Sequence, residues 1–152
     1  MHTHCTSQQF LFQPAGRRKV VADFDAGRVS SDGGLLLLSE LEARVGIVNR
    51  FAHCFTDHRS RVFIEHPVAD LLRQRVLALC AGYEDLNDHD SLRDDALFAA
   101  AVGKADVTGD GRRRDRDKGH PLAGKSTLNR LELTDETASR EERYKKIVAR
   151  DA

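Results

Sequence analysis

Four stretches place reactive or ligating side chains at spacings that suggest chemistry. Gly119-His120-Pro121-Leu122-Ala123-Gly124-Lys125-Ser126 fits a phosphate-binding loop letter by letter. That motif works by setting backbone N–H groups between a buried strand and a helix, with a lysine and a hydroxyl for phosphate and magnesium. Here GRRRDRDK precedes it, which cannot be a buried strand, and no second apolar strand ending in an acid follows. Nucleotide binding is therefore not expected. Asp106 to Asp117, DVTGDGRRRDRD, imitates a calcium loop, but Arg113 stands where an apolar residue is needed and Asp117 replaces the bidentate glutamate. Cys54 and His58, with His53, His66, His2, His4 and Cys5, lack the two tight pairs of a zinc site. Asp85, Asp88 and Asp90 crowd together enough to suggest magnesium, yet acids at a helix start are explained by capping and by the helix dipole. These residues yield no catalytic residue, no metal ligand and no cofactor for the chain.

Charge is what remains. Lys and Arg number 24 against 24 Asp and Glu, so no global positive field attracts nucleic acid. The two signs are nevertheless segregated along the chain. Glu84 to Asp95 carries six acids against Arg93, and Lys104 to Arg130 carries eight bases against four acids. Arg112, Arg113, Arg114, Arg116, Lys118 and Lys125 suit DNA phosphates, followed by a Ser126-capped helix that turns Thr127, Asn129 and Arg130 outward. Asn129 and Arg130 are types that read base edges, so a helix-turn-helix-like reader of double-stranded DNA fits. A solvated loop ahead of an ordinary packing helix fits the composition equally well.

The elements that must position these side chains centre on Leu71 to Gly103. One helix, begun by His66 and Pro67, runs to Gly82 with Leu71, Leu72, Val76, Leu79 and Cys80 on its apolar stripe and Arg73, Gln74 and Arg75 toward water. After an acidic elbow, a second helix runs from about Ser91 to Gly103, burying Leu97, Phe98, Ala101 and Val102. Upstream, 1–18 reads as a polar, flexible arm, and Lys19 to Phe24 as a strand, isolated or in a hairpin with Arg28 to Ser31. Ser30, Ser31 and Asp32 cap a helix whose Leu35, Leu36, Leu37 and Leu38 require burial on more than one side, with Gly46 as its stop. Ile47 to Phe55 forms a shorter helix and Thr56 to Glu65 a charged loop. Residues 104–125 form a basic, mobile loop, and 126–152 contain terminal helices, the last from Ala138 to Arg150. The fold class is mainly α: a helical region, 19–103, that includes a short β arm.

Cys5, Cys54 and Cys80 are an odd, scattered set that reads as reduced thiols in a cytoplasm. No apolar run approaches the roughly 18 to 20 residues of a membrane span, and the N-terminus lacks a signal-peptide pattern. Trp is absent and aromatics make up 6%, which leaves Leu, Val and Ala to build the core.

Three strings, FDAGRVSSDGGLLLLSELEARVG, HPVADLLRQRVLALCAGYEDLNDHDSLRDDALF and PLAGKSTLNRLE, stand in this order between about Val20 and Leu133. In that order they resemble the N-terminal part of bacterial insertion-sequence transposases of the DDE, RNase H-like type. The resemblance implies a family of enzymes that cut and join DNA with divalent metal, such as magnesium, held by three acids. It also implies that the first of those acids lies beyond this segment. Asp23 and Asp25 align instead with the N-terminal arm, so this chain is expected to be truncated before its catalytic core. The implied partners are transposon-end DNA and either further copies or a full-length transposase, in the cytoplasm with the nucleoid. The alternatives are a helical dimerisation or docking module, or a decayed transposase remnant.

Overall fold

The computed structural model describes residues 10–15, 18–22, 32–132 and 147–149. It is mainly α. Two strands, β1 (Phe10–Ala15) and β2 (Arg18–Ala22), pair antiparallel with Phe10 opposite Ala22 and Phe12 opposite Val20. The β2 strand thus finds its partner upstream, in the apolar Phe10 to Phe12 patch read as part of the polar arm. The hairpin lays Phe12 and Val20 on the helical core. Residues 23–31, including the proposed second strand and the capping Ser30 and Ser31, lie outside the described residues.

Helix α1 (Leu35–Val45) closes on Gly46, whose φ of 67° is the left-handed conformation that glycine adopts without strain. Glu42 then reaches past the turn and accepts from the N–H groups of Val48 and Asn49, at 3.0 and 3.1 Å, at the start of α2 (Ile47–Ala52). The leucine run is only half buried. Leu35 and Leu36 enter the core, whereas Leu37 and Leu41 remain 64% and 56% exposed, because among the described residues one face of α1 meets its neighbours. Phe55 is not helical. It opens strand β3 (Phe55–Asp57), which pairs antiparallel with β4 (Ile147–Ala149). The expected helix over 138–150 is therefore corrected at its end: Ile147 is fully buried in a strand, and 138–146 lie outside the described residues.

Helix α3 (Val68–Cys80) joins the two halves of the interior. Leu77 and Ala78 pack with Leu35, Leu36, Leu92, Phe98, Val102 and Leu122; Leu71 and Leu72 pack with Val48, Ala123, Leu128, Leu131 and Ile147. Its apolar stripe is rotated from the expected one. Leu79 and Cys80 are exposed, and Gln74, assigned to the solvent face, is 1% exposed at the junction of the two clusters. The second helix is broken in two, α4 (His89–Leu92) and α5 (Ala96–Val102). Asp95 causes the break by capping α5, accepting from the Leu97 and Phe98 N–H groups at 2.7 and 3.0 Å. Arg73 donates to the Val102 carbonyl at 2.7 Å, setting a cation at the C-terminus of α5. Helix α6 (Lys125–Glu132) buries Leu128 and Leu131, as their spacing requires.

Candidate functional site

The basic loop after Gly103 is shaped by hydrogen bonds of its own. The Asp106 carboxylate accepts from the N–H groups of Thr108, Gly109 and Gly111 at 3.1, 3.0 and 2.8 Å, and from the Thr108 hydroxyl at 3.0 Å. Those bonds hold its carboxyl below the ordinary carboxylate range. Gly109, with φ of 76°, is buried against His120 and Pro121 so closely that a Cβ would lie 2.7 Å from their backbone. The calcium-like spacing is a self-capping turn, and its effect is to fold the arginine segment back on the helices.

That folding forms a cleft of about 690 Å³ between the arginine segment, the 3-10 turn Arg61–Phe63 and the start of α6. Among the described residues Arg59, Arg93, Arg112, Arg114, Arg116 and Arg130 line it, against the acids Glu65, Asp90 and Asp117. Arg59 is fixed by Asp57, with Nε to Oδ1 at 2.8 Å and a terminal nitrogen to Oδ2 at 2.7 Å, and it donates to the His66 carbonyl at 2.9 Å. Arg112 pairs with Glu65 at 2.9 Å and donates to His66 Nε2. His66 does not cap α3; its ring is buried in the cleft wall and Pro67 occupies the cap position. Burial first, then Lys104, Arg112, Arg59 and Arg93, lower its pKa to about 3, so the ring is neutral at pH 7. With Nε2 accepting from Arg112, the proton sits on Nδ1, which has no partner among the described residues.

The residues singled out from sequence divide accordingly. Arg114, Arg116, Thr127 and Arg130 line the cleft together with Arg112. Arg113 turns away and donates to the Val62 carbonyl, bracing the opposite rim. Lys118 pairs with Asp115 at 2.6 Å, Lys125 with Asp90 at 3.3 Å and with Asn87 at 3.0 Å, and Asn129 does not line the cleft. The lysine that would hold phosphate in a nucleotide loop is thus tied to the acidic elbow, and a 3-10 turn, Asp115–Asp117, stands in place of the required strand. Asp90 also accepts from the Lys125 N–H at 3.1 Å, the first amide of α6, in place of the cap expected from Ser126. Three participants escaped the sequence reading. Arg59 and Phe63 belong to the charged loop Thr56 to Glu65, and Gln74 stands between two arginines that mark a solvent face. Arg59 is held by Asp57 and the His66 carbonyl and Phe63 by its own turn, in a stretch without apolar periodicity, whereas Gln74 acts on Ala123, 49 positions away.

The arrangement offers guanidinium groups and the Ser126 and Thr127 side chains to an anion in a concave wall. It does not offer a metal site. Asp85 is taken by Asn87, Asp90 by Lys125 and Asp106 by its own turn, and the described residues hold no group of three or more His, Cys, Asp or Glu side chains able to bind an ion. These described acids, each engaged by its own partners, do not form a divalent-metal centre. Among the described residues no helix is long and apolar enough to cross a membrane, and Cys54 and Cys80 are free and exposed.

No curated protein and no solved structure matches the chain. Its sequence does match the family model described as transposase DDE domain, group 1, over residues 12–150, from within β1 to past β4. By that match the chain belongs to the DDE transposase family, whose members act on DNA.

Proposed function

We propose that this chain is a DNA-binding and assembly region that serves transposition of an insertion sequence. In this reading it holds transposon-end DNA by its phosphates at the arginine-lined cleft. The observation that carries the reading is the six arginines facing three carboxylates in one concavity of a chain whose net charge is zero. Arg114 and Arg116, both exposed, take phosphates, while Arg59 and Arg112, fixed by Asp57 and Glu65, set the potential of the wall. Binding is assigned to these residues and strand cleavage to none of them, and the DNA-bound protein would reside with the nucleoid. A salt titration on an insertion-element end duplex and a scrambled duplex tests this. Affinity should fall steeply with salt, and Arg114→Ala with Arg116→Ala should weaken both duplexes and lower the salt slope by roughly one per lost phosphate contact. Salt-insensitive binding, or a double variant that binds like the parent, overturns the reading.

A second reading has its own observation. Leu37, Leu41 and Val45 form an exposed apolar stripe at successive turns of α1, suited to a second copy of the chain. Sedimentation at rising concentration tests it: Leu41→Lys should abolish the dimer, and a parent that stays monomeric removes this reading.

A further inference from the structure

We propose that the cleft accepts an unpaired, single-stranded DNA segment, one base of which stacks on Phe63. The inference rests on the DNA-binding reading above and specifies which form of DNA the site prefers. Phe63 lines the cleft yet is 67% exposed, beside Val62, which is 65% exposed. A large aromatic ring left in water at the rim of a cationic concavity has an unused stacking face.

The ring is not carried by a slack segment. The Phe63 N–H donates to the Ser60 carbonyl at 2.9 Å and the Ile64 N–H to the Arg61 carbonyl at 3.4 Å. The Arg113 guanidinium bonds the Val62 carbonyl, and Arg59, two residues before Arg61, is locked to Asp57 and to the His66 carbonyl. An aromatic side chain on a braced turn loses little freedom when a base settles on it. Arg114, Arg116 and Arg130 line the same cleft, with Ser126 and Thr127 at the start of α6. Guanidinium groups that follow the backbone and a ring that takes the base are the two parts of a single-strand site, and both tolerate any sequence.

Shape separates single strand from duplex. About 690 Å³ lies within the ~300–1,000 Å³ of cavities that enclose small ligands. A duplex carries its phosphates on a convex outer surface and keeps its bases stacked inside, so it reaches the rim arginines but leaves Phe63 unused. A single strand brings phosphate and base face into the cleft together.

The chain has no tryptophan, so Phe63→Trp places one reporter at the proposed contact. Titration with oligothymidine should quench its fluorescence, and a blunt duplex of equal length should not. Phe63→Ala should bind oligothymidine about tenfold more weakly than the parent, Phe63→Tyr should restore binding, and blunt-duplex affinity should change less than twofold. Unchanged thermal midpoints would place these effects at the surface. If Phe63→Ala binds oligothymidine like the parent, or loses both DNAs equally, the stacking proposal fails. If salt-sensitive duplex binding persists in that case and is lost with Arg114→Ala and Arg116→Ala, the broader reading still stands.

Discussion

Gln74 and Ala123, 49 positions apart, exchange two hydrogen bonds: Gln74 Nε2 donates to the Ala123 carbonyl at 2.8 Å, and Ala123 N–H donates to Gln74 Oε1 at 3.0 Å. A side-chain amide here pairs with the backbone as a neighbouring strand would. The same Nε2 reaches His89 Nδ1 at 3.1 Å. One buried glutamine therefore ties α3 to α4 and to the segment that floors the cleft.

Gln74→Ala should cost about 3 kcal/mol, because it strands both backbone groups of Ala123 out of reach of water. Urea denaturation reads this as a lower midpoint at unchanged slope. DNA affinity should fall with it even well below the unfolding midpoint, since Ala123 and Gly124 line the cleft.

Gly109→Ala should be at least as damaging. The added methyl would meet the His120 and Pro121 backbone at 2.7 Å in a residue already at φ of 76°, so turn and backbone must both shift, at a cost of about 2 to 4 kcal/mol. Calorimetry would record a lower Tm, and hydrogen exchange should show protection lost first over residues 106–119.

Asp90→Ala should move stability and binding in opposite directions. Losing the carboxylate that caps α6 should destabilise the protein by about 1 kcal/mol, while removing one of three acids from the cleft and releasing Lys125 should tighten DNA binding severalfold. Paired denaturation and anisotropy measurements check both signs, and a variant that weakens DNA binding would contradict the assignment of the cleft.

Acid should unfold the protein through two buried histidines. His66, at about 3, and His89, lowered to about 4 chiefly by burial and then by Arg75, are neutral when folded, against an ordinary value of 6.5. Between those values the unfolded chain binds the extra protons, so stability is complete above pH 6.5 and declines as pH falls toward 4. Each histidine contributes a slope of up to about 1.4 kcal/mol per pH unit in that window. Protonation would also turn His66 Nε2 into a donor against Arg112, and His89 Nδ1 into a donor against Gln74. Denaturation at pH 7, 6, 5 and 4 should show this fall, and His66→Gln should flatten it.

The legible parts of this fold were those set by local pattern. Leu35 with Gly46, Leu71 with Leu72, and Leu128 with Leu131 mark helices by spacing and stop signals that need no knowledge of partners. The arginine segment was legible as charge, though not as shape, because its curvature comes from Asp106 and from Gly109 against Pro121. Strand β4 was illegible because Ile147-Val148-Ala149 adopts extended structure only where β3 supplies a pairing edge. Gln74 misled for a related reason: a polar residue is read as wet unless its buried partner, here the Ala123 peptide, is known. Asp95 broke one expected helix in two by offering a better cap than the elbow acids upstream.

The pairing of Asp57 with Ile147 spans 90 positions, and Ile147 is fully buried where it lands. Such a closure is late by necessity, since its entropic cost falls due before its contacts form. During synthesis a ribosome must pass residue 149 before β3 has its partner and the cluster around Leu71 and Leu128 is sealed. Until then the nascent chain presents an open strand edge and unfinished apolar surface. Premature release is thus more hazardous for this protein than the local strength of its helices suggests.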